Sequence, residues 1–148
     1  MKTFIKIVII SFLLSTSLVV YAETPTEKLG VCLIDNLNGK ERKMLAKWIF
    51  FAIAAHPEIS SYSNATSSDV MKNDKEIGSL ITRLLTEDCP NELKAADQID
   101  PQAIEKAFEL VGQVAMQEVM TNQAVSKTIA NYVKYTDQEK INKILLNE

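Results

Sequence analysis

Thr24-Pro25-Thr26-Glu27-Lys28-Leu29-Gly30-Val31-Cys32-Leu33-Ile34-Asp35-Asn36-Leu37-Asn38-Gly39 reads as one α-helix with its own start and stop. Thr24 and Glu27 stand at the spacing of a capping box. The threonine hydroxyl accepts the N–H of the third helical residue, and the glutamate reaches back to the threonine N–H. Pro25 falls in the first turn, where its missing N–H leaves no bond unmade. Leu29, Cys32, Leu33 and Leu37 recur at three- and four-residue intervals, which puts them on one apolar face. Asn38-Gly39 ends the segment, and Asn38 can cap a following helix.

The same punctuation divides the rest of the chain. A second helix, about Lys40 to His56, opens with Lys40-Glu41-Arg42-Lys43 and becomes apolar on all sides through Trp48-Ile49-Phe50-Phe51-Ala52-Ile53-Ala54-Ala55. Such a helix is normally central, or it covers a partner. Residues 57–68 read as the longest loop, rich in serine. Within it, Asn64-Ala65-Thr66 is a glycosylation sequon, meaningful only in a eukaryotic secretory pathway. Ile77, Leu80, Ile81, Leu84 and Leu85 give a third helix, about Ser68 to Glu87, broken at Cys89-Pro90 and followed by a short helix to Ala96. Asp100-Pro101 starts a fifth, to about Thr121, expected to bury Ile104, Phe108, Val111, Ala115 and Val119. Asn122 is a joint to a sixth, carrying Val125, Ile129, Tyr132 and Val133. Thr136 and Glu139 offer another capping box for a last helix with Ile141, Ile144 and Leu145. No stretch alternates like a strand. The expectation is an all-α, compact single-domain bundle of six or seven helices over residues 23–148.

Residues 1–22 carry a different message. Lys2 and Lys6 precede an apolar run, Ile7 to Val20, that ends in Val20-Tyr21-Ala22. This is the build of a secretory signal peptide cut after Ala22, and at about 14 residues the run is short of a membrane span. Val31 is too bulky for the residue before a lipidated cysteine, so no lipid on Cys32 and no membrane anchor after cleavage are expected. The expected address is periplasmic or secreted. Cleavage moves the net charge from −3 to −5, because two lysines and no acids leave. An acidic chain without a basic cluster gives nucleic acid nothing to bind. In an oxidising compartment Cys32 and Cys89 are expected to pair, tying the first helix to the middle of the domain; two separately buried thiols are the alternative.

Catalytic chemistry has few candidates. Nucleophilic catalysis needs a histidine base near its nucleophile, and the chain has one histidine, His56. Its place at the end of an apolar helix also suits hydrogen bonding to the last carbonyls. The acids Asp69, Asp74, Glu76, Glu87 and Asp88 follow helix surfaces or ends, and neither a metal constellation nor a phosphate loop is present. No cofactor is therefore expected, and the chain is read as a non-enzyme. The sharper candidates are apolar. Trp48, Phe50 and Phe51 occupy three of four successive positions and cannot all face one way. With Met116 and Met120, an i,i+4 methionine pair, and with His56 and Phe108, they form the candidate binding surface or pocket.

In signal peptide, length, helicity and cysteine count the chain resembles the small, two-cysteine, all-helical proteins that Gram-negative bacteria export to the periplasm. Immunity proteins that neutralise cell-wall-attacking toxins are among them. The likeness rests on no motif, and the LTxxQ-type signature of periplasmic stress chaperones is not present, so no functional residue is carried across. The resulting expectation is a helical binding protein with another exported protein as its partner, most concretely an inhibitor or immunity-type protein. Its acidic surface or serine-rich loop would block the partner's active site. A carrier of a small apolar ligand held around Trp48, Phe51 and Phe108 is the alternative, and a hydrolase using His56 the remote one.

Overall fold

The computed structural model describes residues 23–146; the expected signal peptide lies outside the described residues. Eight α-helices follow in order among them: α1 (Pro25–Asp35), α2 (Gly39–Ala54), α3 (Pro57–Ser60), α4 (Ser67–Arg83), α5 (Pro90–Asp97), α6 (Ala103–Met120), α7 (Gln123–Ala130) and α8 (Gln138–Leu145). A π-helical turn (Leu84–Asp88) extends α4, and a 3-10 stretch (Asn131–Tyr135) follows α7. The fold is all-α, and among the described residues no strand occurs and no helix is long and apolar enough to cross a membrane.

Local chemistry sets most of the helix starts. Thr24 Oγ1 accepts the Glu27 N–H at 3.2 Å while Glu27 Oε2 accepts the Thr24 N–H at 2.7 Å. Those bonds, the backbone one foremost, hold the Glu27 carboxyl below its ordinary pKa. Asn38 and Glu41 build a second box, and Thr66 and Asp69 a third. The third was not expected, and it places the threonine of the sequon at the cap of α4. It also leaves a loop shorter than the serine-rich composition suggested, because Pro57–Ser60 turns once as α3. Two expected starts are displaced. Asp137, not Thr136, caps α8 by accepting the Lys140 N–H at 3.1 Å, while the Thr136 hydroxyl donates to the Val133 carbonyl. Asp100 accepts the Gln102 N–H at 2.9 Å in a turn that precedes α6 by two residues.

α1 is the enclosed helix. It packs against α5 and α6, whereas α2 lies against α6 on one side and α4 on the other. Leu29, Leu33 and Leu37 of the opening stretch are buried with Leu45, Ile77, Leu80 and Leu84. The partner face on α6 is Ala103, Ala107, Val111 and Ala115, four residues apart each time. The sequence-based face was rotated toward larger side chains: Ile104 is exposed, and Phe108 and Val119 are only half-buried. The packing of α1, α2 and α5 against α6 is the reason. A Cβ on Gly30 would stand 2.5 Å from Leu110 Cδ1, so the missing side chain of Gly30 makes room for Leu110 where α1 and α6 meet.

The disulfide forms as expected. Cys32 and Cys89 are bonded across 6.0 Å between Cα atoms, joining α1 to the start of α5. The π turn delivers Cys89 there: its N–H donates to the Leu84 carbonyl at 2.9 Å, five residues back. Arg83 braces the same corner, pairing with Asp88 and, at 3.0 Å, with Glu41 Oε1. Glu41 spends its other oxygen on the Asn38 N–H, so the cap of α2 and the end of α4 share one carboxylate.

Asn73 is out of character in this core. It is fully buried, continues the Ile77, Leu80, Leu84 stripe of α4 by one turn, and neither its Oδ1 nor its Nδ2 has a hydrogen-bond partner among the described residues. An unpaired buried amide costs about 1–3 kcal/mol. Asn73→Leu is therefore expected to raise the unfolding free energy by about 1 kcal/mol, part of the relief being offset by the larger side chain. Urea unfolding checks this; a loss of stability would mean that the amide is held by contacts stronger than its desolvation.

Candidate functional site

The three aromatics of α2 do not share one face, although the Phe50 and Phe51 rings lie 5.8 Å apart. Phe50 faces the α6 side and is 50% exposed. Phe51 is half-buried, with the Lys47 ammonium 6.0 Å from its ring centre. Trp48 is 39% exposed. The expectation that α2 is the central helix fails for its second half: only Ala54 is buried after Ala46, and Ile53 is 48% exposed. The first half buries Leu45 and Ala46 because α6 and α4 flank it; among the described residues no further layer lies over the face beyond them.

Beside Phe50 lies a groove of about 570 Å³, open to solvent, between α2 and the α6–α7 joint. Ala46 and Phe50 form one wall and Val119 and Val125 the other. Lys43 and Lys47 stand along the α2 rim, with Glu118, Thr121 and Asn122 opposite. The joint is a product of local sequence. Asn122 Oδ1 accepts the N–H groups of Ala124 and Val125 at 3.0 and 3.3 Å, and the Ser126 hydroxyl donates to the Met120 carbonyl at 2.6 Å. The bend so made turns Val125 back toward Phe50. The rim charges are loosely engaged: Lys43 with Glu118 at 3.9 Å and Lys47 with Glu76 at 3.9 Å.

The structure brings together only part of the expected set. Phe50 lines the groove. Met116 and Met120 are exposed on α6, on the side away from its buried alanines, and do not line it. Phe108 packs against the core three turns of α6 before Val119 and does not line this groove. His56 has a different duty from either reading. Rather than serving the end of α2, its Nδ1 accepts the Glu58 N–H at 3.3 Å and caps α3. With that nitrogen acting as an acceptor, the histidine is engaged in a backbone turn. Cys32 and Cys89 are consumed in their bridge.

Lys43, Glu118, Val119 and Val125 were missing from the sequence-based site. Only Asn122, recognisable as a joint, signalled that α7 would return toward α2. Among the described residues no three His, Cys, Asp or Glu side chains gather closely enough to hold a metal ion. Compared with protein-family models, curated proteins and solved structures, the chain matches none.

Proposed function

We propose that this is a periplasmic or secreted, non-enzymatic binding protein that recognises another exported protein through the α2–α6 groove. The observation that carries the reading is the half-exposed Phe50 beside Val119 and Val125, with two lysines on the adjoining rim. Aromatic side chains at the centre of an apolar patch with a polar surround are the usual anchors of protein interfaces. The lysines outnumber the single rim glutamate, and their ion pairs are long and exposed. That charge balance fits a partner segment presenting an apolar side chain next to a carboxylate. The disulfide is compatible with an oxidising compartment and supports the exported address. An inhibitor or immunity-type role is the most concrete form, with the groove rather than the serine-rich connection making the contact.

Phe50→Asp tests it. The chain from Glu23 onward, immobilised, is expected to retain one exported protein from envelope extract, and Phe50→Asp to weaken that complex at least tenfold, about 1.4 kcal/mol. The exposed side chain carries little of the core, so the melting temperature should stay within a few degrees. Equal retention by wild type and variant, or no retained protein, would sink the reading. A small-ligand carrier is the second reading, supported by the volume of the groove, which lies within the usual range for ligand pockets. Such pockets bury most of their ligand, whereas this one is open on its length. A lipid-like mass co-purifying with wild type and absent from Phe50→Asp in native mass spectrometry would favour the carrier.

A further inference from the structure

The two sulfurs of the bridge stand in unlike places. Cys89 is fully buried, whereas Cys32 is half-buried and lines a cleft of about 410 Å³ that opens to solvent; Cys89 does not line it. Glu23, Lys28, Asp35, Asn36 and Glu92 form the rest of the wall. Asn36 Nδ2 donates to the Cys32 carbonyl at 2.9 Å, which holds that nitrogen 3.7 Å from Cys32 Sγ and 3.8 Å from Cys89 Sγ. Cys89 is also the N-cap of α5, and no side chain accepts the free N–H groups of the first turn there.

We propose that Cys32 is a thiol-exchange site, through which a dithiol reductant opens the bridge while the domain stays folded. A thiolate of the reductant attacks Cys32 Sγ. A new S–S bond forms there, the Cys32–Cys89 bond breaks, and its electron pair leaves on Cys89 Sγ, which takes a proton from water. The reductant's second thiolate then attacks its own sulfur in the mixed disulfide. Cys32 is released as a thiol, and the reductant ends as a disulfide, oxidised by the two electrons the bridge has gained. The direction of the first step follows from the burial: attack at Cys89 needs the core opened, and attack at Cys32 needs only the cleft. Charge leaving on Cys89 develops beside the uncapped N–H groups of α5 and the Asn36 amide, donors that favour a thiolate. The cleft also selects among thiols. Three acids, Glu23, Asp35 and Glu92, stand there against Lys28, and none of the four is in an ion pair among the described residues. Even with the α-amino group of a chain cut before Glu23 the acids prevail, so cationic and neutral thiols are admitted ahead of anionic ones. The cleft shares no residue with the Phe50 groove, so the two readings stand or fall separately.

Reduction of the folded chain from Glu23 onward tests the proposal. Cysteamine, mercaptoethanol and mercaptoethanesulfonate are compared at equal thiolate concentration and low salt, each rate divided by that thiol's rate with a neutral small disulfide. The rate is expected to rise in proportion to thiolate and to be unchanged by urea well below the unfolding transition. The cationic thiol should be faster than the anionic one by about threefold or more. Asp35→Asn with Glu92→Gln should remove that preference. Opening that saturates at the rate of global unfolding overturns the proposal, as does an anionic thiol as fast as the cationic one. Single variants locate the exchange. With a neutral dipyridyl disulfide, the Cys32 thiol left in Cys89→Ser should react roughly thirtyfold faster than the Cys89 thiol left in Cys32→Ser. Equal rates, or a faster Cys89, overturn it; the wild-type kinetics decide the matter where a single variant fails to fold.

Discussion

Cys32→Ala with Cys89→Ala is expected to lower the unfolding free energy by about 4 kcal/mol, on the chain-entropy relation for a loop of this length. The two cysteines are separated by 57 positions, so the bridge removes from the unfolded chain a large set of conformations in which α1 and α5 are far apart. Loss of the Cys89 side chain adds to that, because it is fully buried. A domain of this size has about 5–15 kcal/mol to lose in total, so the variant is expected to remain folded at room temperature with a much lower melting point. Guanidinium unfolding of wild type, of wild type reduced, and of the double variant checks it. The last two should agree to within about 1 kcal/mol. A loss below about 1 kcal/mol would mean that the reduced chain already holds the two segments together.

Leu33→Ala carries the second large effect, an expected loss of about 3 kcal/mol. Leu33 is fully buried in the last turn of α1, which packs against both α5 and α6. Truncation removes three carbon atoms from the core and leaves a void. The enclosing residues cannot close it, because α1 and α6 are already at contact distance through Gly30 and Leu110. The same truncation at Ile144, exposed on α8, is expected to change the stability by less than about 0.5 kcal/mol. Chemical unfolding of the two variants side by side separates core from surface. A loss below about 1 kcal/mol at Leu33 would show that α1 repacks freely.

Much of the fold was legible in the sequence because helix starts are local. The boxes at Thr24 and Asn38, the prolines at 57 and 90 and the joint at Asn122 each act within three or four residues, and each does what its neighbours imply. The errors at helix starts have local causes as well. Asp137 caps α8 one residue after the position expected for Thr136, and Pro57 makes His56 a cap by opening a new turn immediately after α2. Burial was far less legible. The α6 stripe through Ile104 and Phe108 is as regular as the one through Ala103 and Ala107. Only the packing of α1, α2 and α5 against α6 selects the smaller one.

The candidate site divides along the same line. Trp48, Phe50 and Phe51 cannot share one face of a helix, and that much follows from a 3.6-residue turn. Which of them meets solvent depends on where α4 and α6 end relative to α2. Val125 joins Phe50 only because the Asn122 bend turns α7 back.

By itself, then, the sequence determined the all-helical class, most of the boundaries and the pairing of its two cysteines, since capping, proline and disulfide chemistry act on few residues at a time. The tertiary structure decided what is core and what is surface. It buried the leucine face of α1, left Phe50 and Ile53 of the greasier α2 half-exposed, and set the last helix, α8, apart from the core. Periodicity fixes which side chains share a face, and only the packing of distant segments fixes what, if anything, lies against it.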